Sequence, residues 1–340
     1  MEIHTNIPIK NFTTMRLGGK ARFMTDIFKT EDIAKIFQNA KAQNLPIFIM
    51  GGGSNLIARD EGYNGIILKI KIPGFEKMAD DINSTTIKIG AGEDWDSVVK
   101  RTVDMSLSGI EAMSAIPGTI GAAPVQNIGA YGQEIADTLI SLEAYDTENE
   151  EFVNLTHEDC NFSYRKSIFN SLDKGRYIIT SITLKLSKNQ PTPPFYDSLQ
   201  KYLDENNIKI YTQQTIRDAV IKIRASKLPD PKIMANSGSF FKNAIAEKWQ
   251  LDEIKNKYPD IPTYDMGDGK FKIPTGWLIE QAGFKGQLIN GIRVYDKNAL
   301  VLVNESATSY NDLEIAKNQI IRKIRDIFRV EIEQEPNEIQ

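Results

Sequence analysis

The sequence predicts an α+β fold, and three observations carry that prediction. Apolar residues recur at helical spacing over 31–43, with Ile33, Ile36, Phe37 and Ala40 on one face, and over 310–328, with a stripe of Leu313, Ile320, Ile321, Ile324, Ile327 and Phe328. Leu139–Tyr145 and Arg176–Leu186 alternate with the two-residue period of half-buried strands. The stretch Ile110–Gln133 has neither period and is rich in small residues, so it is expected to be irregular.

The other elements follow in order. Pro46–Met50 is a short apolar strand that runs straight into Gly51-Gly52-Gly53-Ser54-Asn55, and Gly65–Ile70 is a further strand. Thr85–Gly90 is a strand, and Trp95–Met105 a helix with Val98, Val99 and Val103 inward. Asn189–Pro194 (Asn-Gln-Pro-Thr-Pro-Pro) suits neither a helix nor a central strand and is a connector. Thr215 with Asp218 is a capping signal for a helix over 216–225. Helices are expected near 244–257, 275–282 (with Gly283 as its stop) and 310–328, and Val330–Glu333 as a terminal strand.

Composition narrows the function. The 340 residues carry 45 acids against 41 bases, a net charge of −4, so a broadly basic nucleic-acid surface is not expected. One cysteine, Cys160, cannot form an intrachain disulfide. The opening lacks the basic-then-apolar pattern of a signal peptide, and apolar runs such as Ala299–Val303 are too short to span a bilayer, so the cytoplasm is the expected compartment. Two histidines and one cysteine leave little for a metal site. Chemistry must rest on Ser, Tyr, Arg, Lys, Asp and Glu, or on a bound cofactor.

Five segments could carry it. The run Gly51–Asn55 lets backbone N–H groups approach an anion, yet it is neither a Walker loop nor a dinucleotide fingerprint and could be a plain tight turn. Ala112–Gly132 is too poor in large side chains to supply core; it either cradles a large flat ligand or packs as an internal loop. Arg165 beside Tyr164 could clamp a carboxylate, although surface arginines are common. The cations Arg224, Lys227 and Lys232 precede the turn Ser237-Gly238-Ser239, which suits a diphosphate or carboxylate; without a histidine near Ser239 a Ser-His-Asp hydrolase is a poor reading. In the tail, Glu331, Glu333 and Glu335 share one face of an extended strand, ordinarily a solvated one.

Taken together these segments are more specific than any one of them. Met15-Arg-Leu-Gly-Gly19, Gly51–Asn55, Ile116-Pro-Gly-Thr-Ile-Gly121 through Gln126-Asn-Ile-Gly-Ala-Tyr-Gly132, Tyr164-Arg165, Lys227-Leu-Pro-Asp230 and Gly238-Ser-Phe-Phe-Lys-Asn243 occur in this order, over nearly the whole chain from about residue 9 to 335. The chain closely resembles the UDP-N-acetylenolpyruvoylglucosamine reductases (MurB) of peptidoglycan synthesis. The resemblance implies a three-domain flavoenzyme: a two-lobed flavin-binding region of the vanillyl-alcohol-oxidase-like type, residues 1–72 (joined by a C-terminal strand, 329–340) and 73–227, and an α+β substrate domain, 228–328.

It also implies FAD held non-covalently, NADPH as reductant, and reduction of UDP-N-acetylglucosamine enolpyruvate to UDP-N-acetylmuramate, with no protein partner, nucleic acid or membrane insertion. The segment Pro193-Pro-Phe-Tyr196 resembles the tyrosine-bearing insertion of the longer family subtype, whose tyrosine folds over the substrate's nucleotide. Residue by residue, the resemblance makes Ser239 the proton donor, with Arg165 and Glu335 the other catalytic positions. FAD contacts fall on Gly51, Gly52, Gly53, Ser54, Asn55, Ser114, Ile116, Pro117, Gly118 and Arg224, and substrate contacts on Tyr131, Tyr196, Lys227, Asn243 and Gln281. Two positions depart from the family pattern: Ala244 stands where a proline is usual, and Pro336 follows Glu335 where a valine is typical. A rival on the same flavin fold is an oxidase of a small alcohol or sugar; such enzymes often tether FAD through His or Cys near the glycine turn, and Gly51–Arg59 contains neither.

Overall fold

The helical period over 31–43 is α1 (Thr30–Ala42), burying Ile33, Ile36 and Ala40, with Glu31 and Asp32 in its first turn and Lys41 in its last, as the helix dipole favours. The computed structural model describes residues 2–339 and divides them between two units. Unit 1 takes the residues up to Ile7, Ala21–Gly52 and Asn64–Ala225; unit 2 takes Pro8–Lys20, Gly53–Tyr63 and the chain from Ser226 onward. Residues 8–20 and 53–63, which the resemblance assigns to the first flavin lobe, thus belong to the unit built on the C-terminal third.

In unit 1 a four-stranded sheet orders His4–Pro8, Lys20–Ile27, Tyr63–Ile70 and Ile47–Met50, the last two parallel. A five-stranded antiparallel sheet orders Glu151–Thr156, Leu139–Asp146, Tyr177–Ser187, Ser84–Gly90 and Phe75–Asp80. Its central strand is buried on both faces from Ile178 through Ile182, not half-buried as its alternation predicted. Cover on both faces removes the need for a polar side, so Thr180 and Ser181 are interior despite their polarity. Next, α2 (Trp95–Asp104) is capped by Asp94, whose carboxylate accepts from the Ser97 N–H at 2.9 Å. Trp95 Nε1 donates to the Met113 carbonyl at 3.0 Å, fastening the small-residue stretch to this helix.

That stretch forms short 3₁₀ turns and a two-stranded hairpin, the irregularity its lack of period implied. A smaller core joins Leu199 and Leu203 of α3 (Asp197–Glu205), an element the sequence reading missed, to Ile216, Ala219, Val220 and Ile223 of α4 (Gln213–Lys227). The capping group of α4 is Thr212, whose Oγ1 accepts from the Thr215 N–H at 3.1 Å, so the helix starts a turn before the expected signal.

Unit 2 contains a sheet of Ala235–Ser239, Val301–Asn304, Ile292–Val294 and Leu288–Ile289, and another of Ala244–Glu247, Lys270–Ile273 and Tyr264–Asp265. Residues 244–247, expected to open a helix, are an edge strand; α5 (Lys248–Lys257) begins at the Glu247–Gln250 capping box. With α6 (Thr275–Gln281) and α7 (Tyr310–Phe328) these enclose a core of Phe240, Phe241, Leu278, Leu313, Ile320 and Ile324.

The tail also differs from expectation. No strand forms over Val330–Glu333; instead Gln334 makes an isolated bridge to Phe241, and Asn337–Ile339 runs parallel to Leu56–Ala58. Pro336, lacking an N–H, separates these two pairings. Among the described residues no helix is long and apolar enough to cross a membrane, and no group of three or more His, Cys, Asp or Glu is placed to hold a metal ion.

Candidate functional site

In unit 1 the strand Ile47–Met50 delivers its chain end into Gly51 and Gly52, against the loop 117–119. A Cβ on Gly51 would lie 2.4 Å from Thr119 Oγ1, and one on Gly52 would lie 3.0 Å from the Gly118 Cα. Two backbones therefore meet where any side chain would part them. The Thr119 hydroxyl is buried there without a hydrogen-bond partner. The adjoining Ser114 is fully buried, and Ala115 is held at φ 59°, a conformation few side-chain-bearing residues adopt.

Its restraint is visible. The Ala115 N–H donates to Asp96 Oδ1 at 2.6 Å, and Arg217 holds the same carboxylate from Nη1 at 2.6 Å and Nη2 at 2.8 Å while donating to Ser114 Oγ at 2.9 Å. Burial pushes the Asp96 carboxyl up, but the Arg217 guanidinium and the Ala115 N–H outweigh it and hold it below the usual range. One turn-pair further along α4, burial lowers Arg224 from its ordinary value, against the opposing influence of Tyr131 and Asp96. A desolvated guanidinium of this kind favours an anionic ligand.

Tyr131 tops the hairpin of Gly129–Ala130 and Gln133–Glu134. Tyr131 and Gly132 have φ of 49° and 87°, the paired left-handed residues of a two-residue hairpin turn. Its ring meets that of Tyr196 edge-on at 6.2 Å. Arg165, at φ 54°, donates from Nη2 to the Gly129 carbonyl at 2.7 Å and from Nη1 to the Asn127 carbonyl at 3.3 Å. Its strained backbone and these two bonds fix the guanidinium beside the hairpin.

In unit 2, Gly53 has φ 73°, and a Cβ on it would fall 1.9 Å from the Phe12 carbonyl oxygen, so only glycine fits. Thr14 donates from its N–H to the Gly53 carbonyl at 3.3 Å and from Oγ1 to the Ser54 carbonyl at 3.2 Å. Asn55 reaches the tail, its Nδ2 donating to the Glu335 carbonyl at 3.5 Å and its carbonyl accepting from the Asn337 N–H at 3.0 Å. Ser239 ends the strand Ala235–Ser239 after a break in register, and the Glu335 N–H donates to the carbonyl of the next residue, Phe240, at 2.9 Å. Asn243 Oδ1 accepts from the Thr275 N–H at 3.2 Å at the start of α6, and Gln281 is the last residue of that helix. Lys227 is exposed at the end of α4.

The expected residues therefore fall into two groups. Gly51, Gly52, Ser114, Ile116, Pro117, Gly118, Tyr131, Arg165, Tyr196 and Arg224 lie in unit 1; Gly53, Ser54, Asn55, Lys227, Ser239, Asn243, Gln281 and Glu335 lie in unit 2. Sequence reasoning missed Asp96, Thr119 and Arg217. Arg217 and Arg224 are seven residues apart on one helix face, a spacing that would have flagged the first once the second was chosen.

Residues 28–156 match the FAD binding domain family, and residues 230–339 match the UDP-N-acetylenolpyruvoylglucosamine reductase C-terminal domain family. The reductase of that name from Flavobacterium johnsoniae is 40% identical over 341 residues, covering 100% of both chains. The chain belongs to the UDP-N-acetylenolpyruvoylglucosamine reductase family. The reductase from Ralstonia nicotianae is 39% identical over 97% of both chains. The crystal structure of the reductase from Thermus caldophilus superposes with a TM-score of 0.68 at 20% identity, covering 100% of this chain and 98% of that one, and shows the same fold.

A reductase of this family is a flavoprotein, and the residues present fit FAD. The close backbone approach at Gly51 and Gly52 and the half-buried cation Arg224 fit an anionic nucleotide cofactor, and the unpartnered Thr119 hydroxyl offers a hydrogen bond where the two backbones meet. Residues 51–59 contain no His or Cys through which to tether it.

Proposed function

We propose that Ser239, Arg165 and Glu335 perform the reaction of the family in this chain: NADPH-dependent reduction of UDP-N-acetylglucosamine enolpyruvate to UDP-N-acetylmuramate. The full-length kinship with the Flavobacterium johnsoniae reductase carries the reading. The activity, UDP-N-acetylmuramate dehydrogenase, belongs to peptidoglycan precursor synthesis. Bound FAD supplies the hydride-carrier chemistry.

The substrate gains a hydride at its methylene carbon and a proton at the adjacent carbon, so negative charge develops at that carbon and into the carboxylate. Arg165 stabilises this charge; a guanidinium pre-set by carbonyl bonds loses little on reorganisation. Ser239 donates the proton, and Glu335 stands in the neighbouring backbone segment as the carboxyl partner. Lys227, Asn243 and Gln281 hold polar groups of the substrate, and Gly51–Asn55 with Ser114–Gly118 hold the flavin. Tyr196, supported edge-on by Tyr131, covers the nucleotide as in the longer subtype. NADPH and a nucleotide sugar are cytoplasmic metabolites, which makes the cytoplasm the working compartment.

Anaerobic mixing tests the reading. The purified protein should be yellow and release its flavin in acid, NADPH should bleach it, and the enolpyruvyl substrate should restore the colour with a product heavier by two hydrogens. Bleaching without recovery would remove the substrate from the reading; a colourless protein indifferent to added FAD would remove the flavin.

A further inference from the structure

The tail carrying Glu335 is held by a short run of backbone bonds and by the buried Ile332 and Ile339. On one side of Glu335 lies the single bridge of Gln334 to Phe241; on the other, beyond Pro336, lies the three-residue parallel pairing of Asn337–Ile339 with Leu56–Ala58. So short a parallel ladder is marginal by itself. A polar cluster of five side chains adds to this fastening.

Glu338 Oε2 accepts from Arg59 Nε at 3.0 Å and Nη2 at 2.8 Å, and Oε1 accepts from Tyr310 Oη at 2.7 Å and Lys317 Nζ at 3.4 Å. Lys317 Nζ also donates to Gln334 Oε1 at 3.1 Å, and Gln334 Nε2 donates to the Pro336 carbonyl at 2.7 Å and to Glu338 Oε1 at 3.4 Å. Gln334, immediately before Glu335, is thus tied to that carboxylate, and Pro336, immediately after, is tied to it through the Gln334 amide. That carboxylate is desolvated, its side chain 17% exposed and that of Lys317 12%, so their bond is not the weak, screened pair of an open surface, while Arg59, 40% exposed, is the more screened partner. The scaffold behind is firm: Asp60, next to Arg59, accepts the first N–H groups of α7 from Tyr310 at 2.7 Å and Asn311 at 3.2 Å.

We propose that Glu338, clamped by Arg59, Tyr310 and Lys317, is a positioning residue that fixes Glu335 for the reduction of the enolpyruvyl substrate. It touches neither substrate nor flavin; it sets where the tail runs, and so where the Glu335 carboxyl can be presented. The inference rests on the role given to Glu335 above. The Glu338 carboxyl is also ionised throughout the working range: burial pushes it up, but the hydrogen bonds from Tyr310 and Arg59 and the charge of Lys317 bring it down to about 2.

A double-mutant cycle on the FAD-loaded enzyme tests it, following bleaching by NADPH and recovery by substrate separately. Glu335→Gln alone should slow recovery and leave bleaching unchanged. Glu338→Gln, which keeps the shape and removes the charge, should slow recovery by about 10- to 100-fold, the cost of a small misplacement of a reacting group. It should slow recovery no further in the Glu335→Gln background, because it acts only through Glu335. Tyr310→Phe, which keeps every charge, should give a smaller effect with the same non-additivity and serves if Glu338→Gln fails to fold. Additive effects, or equal slowing of bleaching, would overturn the positioning role while leaving Glu335 in place. If Glu335→Gln itself leaves recovery unchanged, the role given to Glu335 falls, and the positioning role with it.

Discussion

The backbone N–H of Glu335 donates to the carbonyl of Phe240 at 2.9 Å, so the tail carboxylate is registered against the residue directly after Ser239. The partners are 95 positions apart in the numbering of the chain. Lys242 repeats the contact two residues on, its N–H donating to the Glu333 carbonyl at 2.9 Å, so the register rests on two bonds either side of the Phe241–Gln334 bridge. Pro336 comes after the last of these bonds and does not interrupt them.

That register makes the first prediction. Ser239→Ala removes one hydroxyl from a strand end and should leave fold and flavin content intact. NADPH should bleach the flavin at near wild-type speed, while recovery by the enolpyruvyl substrate slows by about 10²-fold or more, the share of a positioned general acid. Cysteine at 239 should restore part of the loss. Stopped-flow absorbance separates the two halves; equal slowing of both would remove Ser239 as proton donor.

The elements legible in the sequence were those with a long period and one wet face. The helices α1, α2 and α7 show their stripes openly, because solvent demands polar residues on the other side. Tyr177–Ser187 was found as a strand but misjudged in burial, since interior Thr180 and Ser181 mimic a wet face. Ala244–Glu247 was lost because its four residues run on into a real helix without a breaker. The glycine run and the Ser239 turn stood out from composition as candidates, and only the resemblance gave them roles. The pairings that brace them were not legible: Asp96 meets Arg217 across 121 positions, and Glu338 meets Arg59 across 279, and although its spacing from Arg224 marks Arg217, nothing local marks its partner or the second pair.

Thr119→Val should act in opposite directions with and without flavin. The hydroxyl is buried and unpartnered, so replacing it with a methyl of the same shape removes a desolvated polar group and should stabilise the apoprotein by about 1 kcal/mol. If the hydroxyl bonds FAD, the loaded protein loses about 0.5–1.5 kcal/mol, and the two changes together weaken Kd by about 10- to 70-fold. Melting curves of both forms read the two signs. Stabilisation of both forms would show that FAD does not use Thr119.

Asp96→Asn should loosen the flavin cradle. Arg217 is only 6% exposed, and its guanidinium would keep Ser114 Oγ but lose its charged partner. Leaving a buried cation uncompensated costs about 3–5 kcal/mol when the pair is fully interior; the Asp96 side chain is 35% exposed, so about 2–3 kcal/mol is expected. The Ala115 N–H also loses its charged acceptor, which frees a residue held at φ 59°. FAD affinity should therefore fall together with stability. Arg217→Met, which removes the orphaned cation as well, should recover much of the stability in the double variant without recovering FAD affinity. Recovery of both would reduce the pair to a packing role.

The last prediction concerns acid. The carboxyl of Glu338 lies at about 2 in the folded protein, against an ordinary value of 4.5. A group whose folded value is depressed adds stability that is fully present above its unfolded value and is lost as the pH falls through the folded one. The tail clamp should therefore hold from neutrality down to about pH 5 and weaken progressively between about pH 5 and 2. Arg59 and Tyr310, both raised from their ordinary values, keep their protons across that window, so the titrating group is Glu338 itself. Asp146, drawn down to about 2 chiefly by the Arg176 guanidinium, loses stability over the same range, so the wild-type curve alone does not isolate the clamp. The difference between wild type and Glu338→Gln does: it should be largest above pH 5 and shrink towards pH 2. Hydrogen exchange gives the local reading, because the N–H groups of Glu335 and Asn337 should lose protection over that interval before the amides of α7 do. A wild-type minus variant difference that stays flat from pH 6 to pH 2 would mean that the Glu338 charge does not hold the tail.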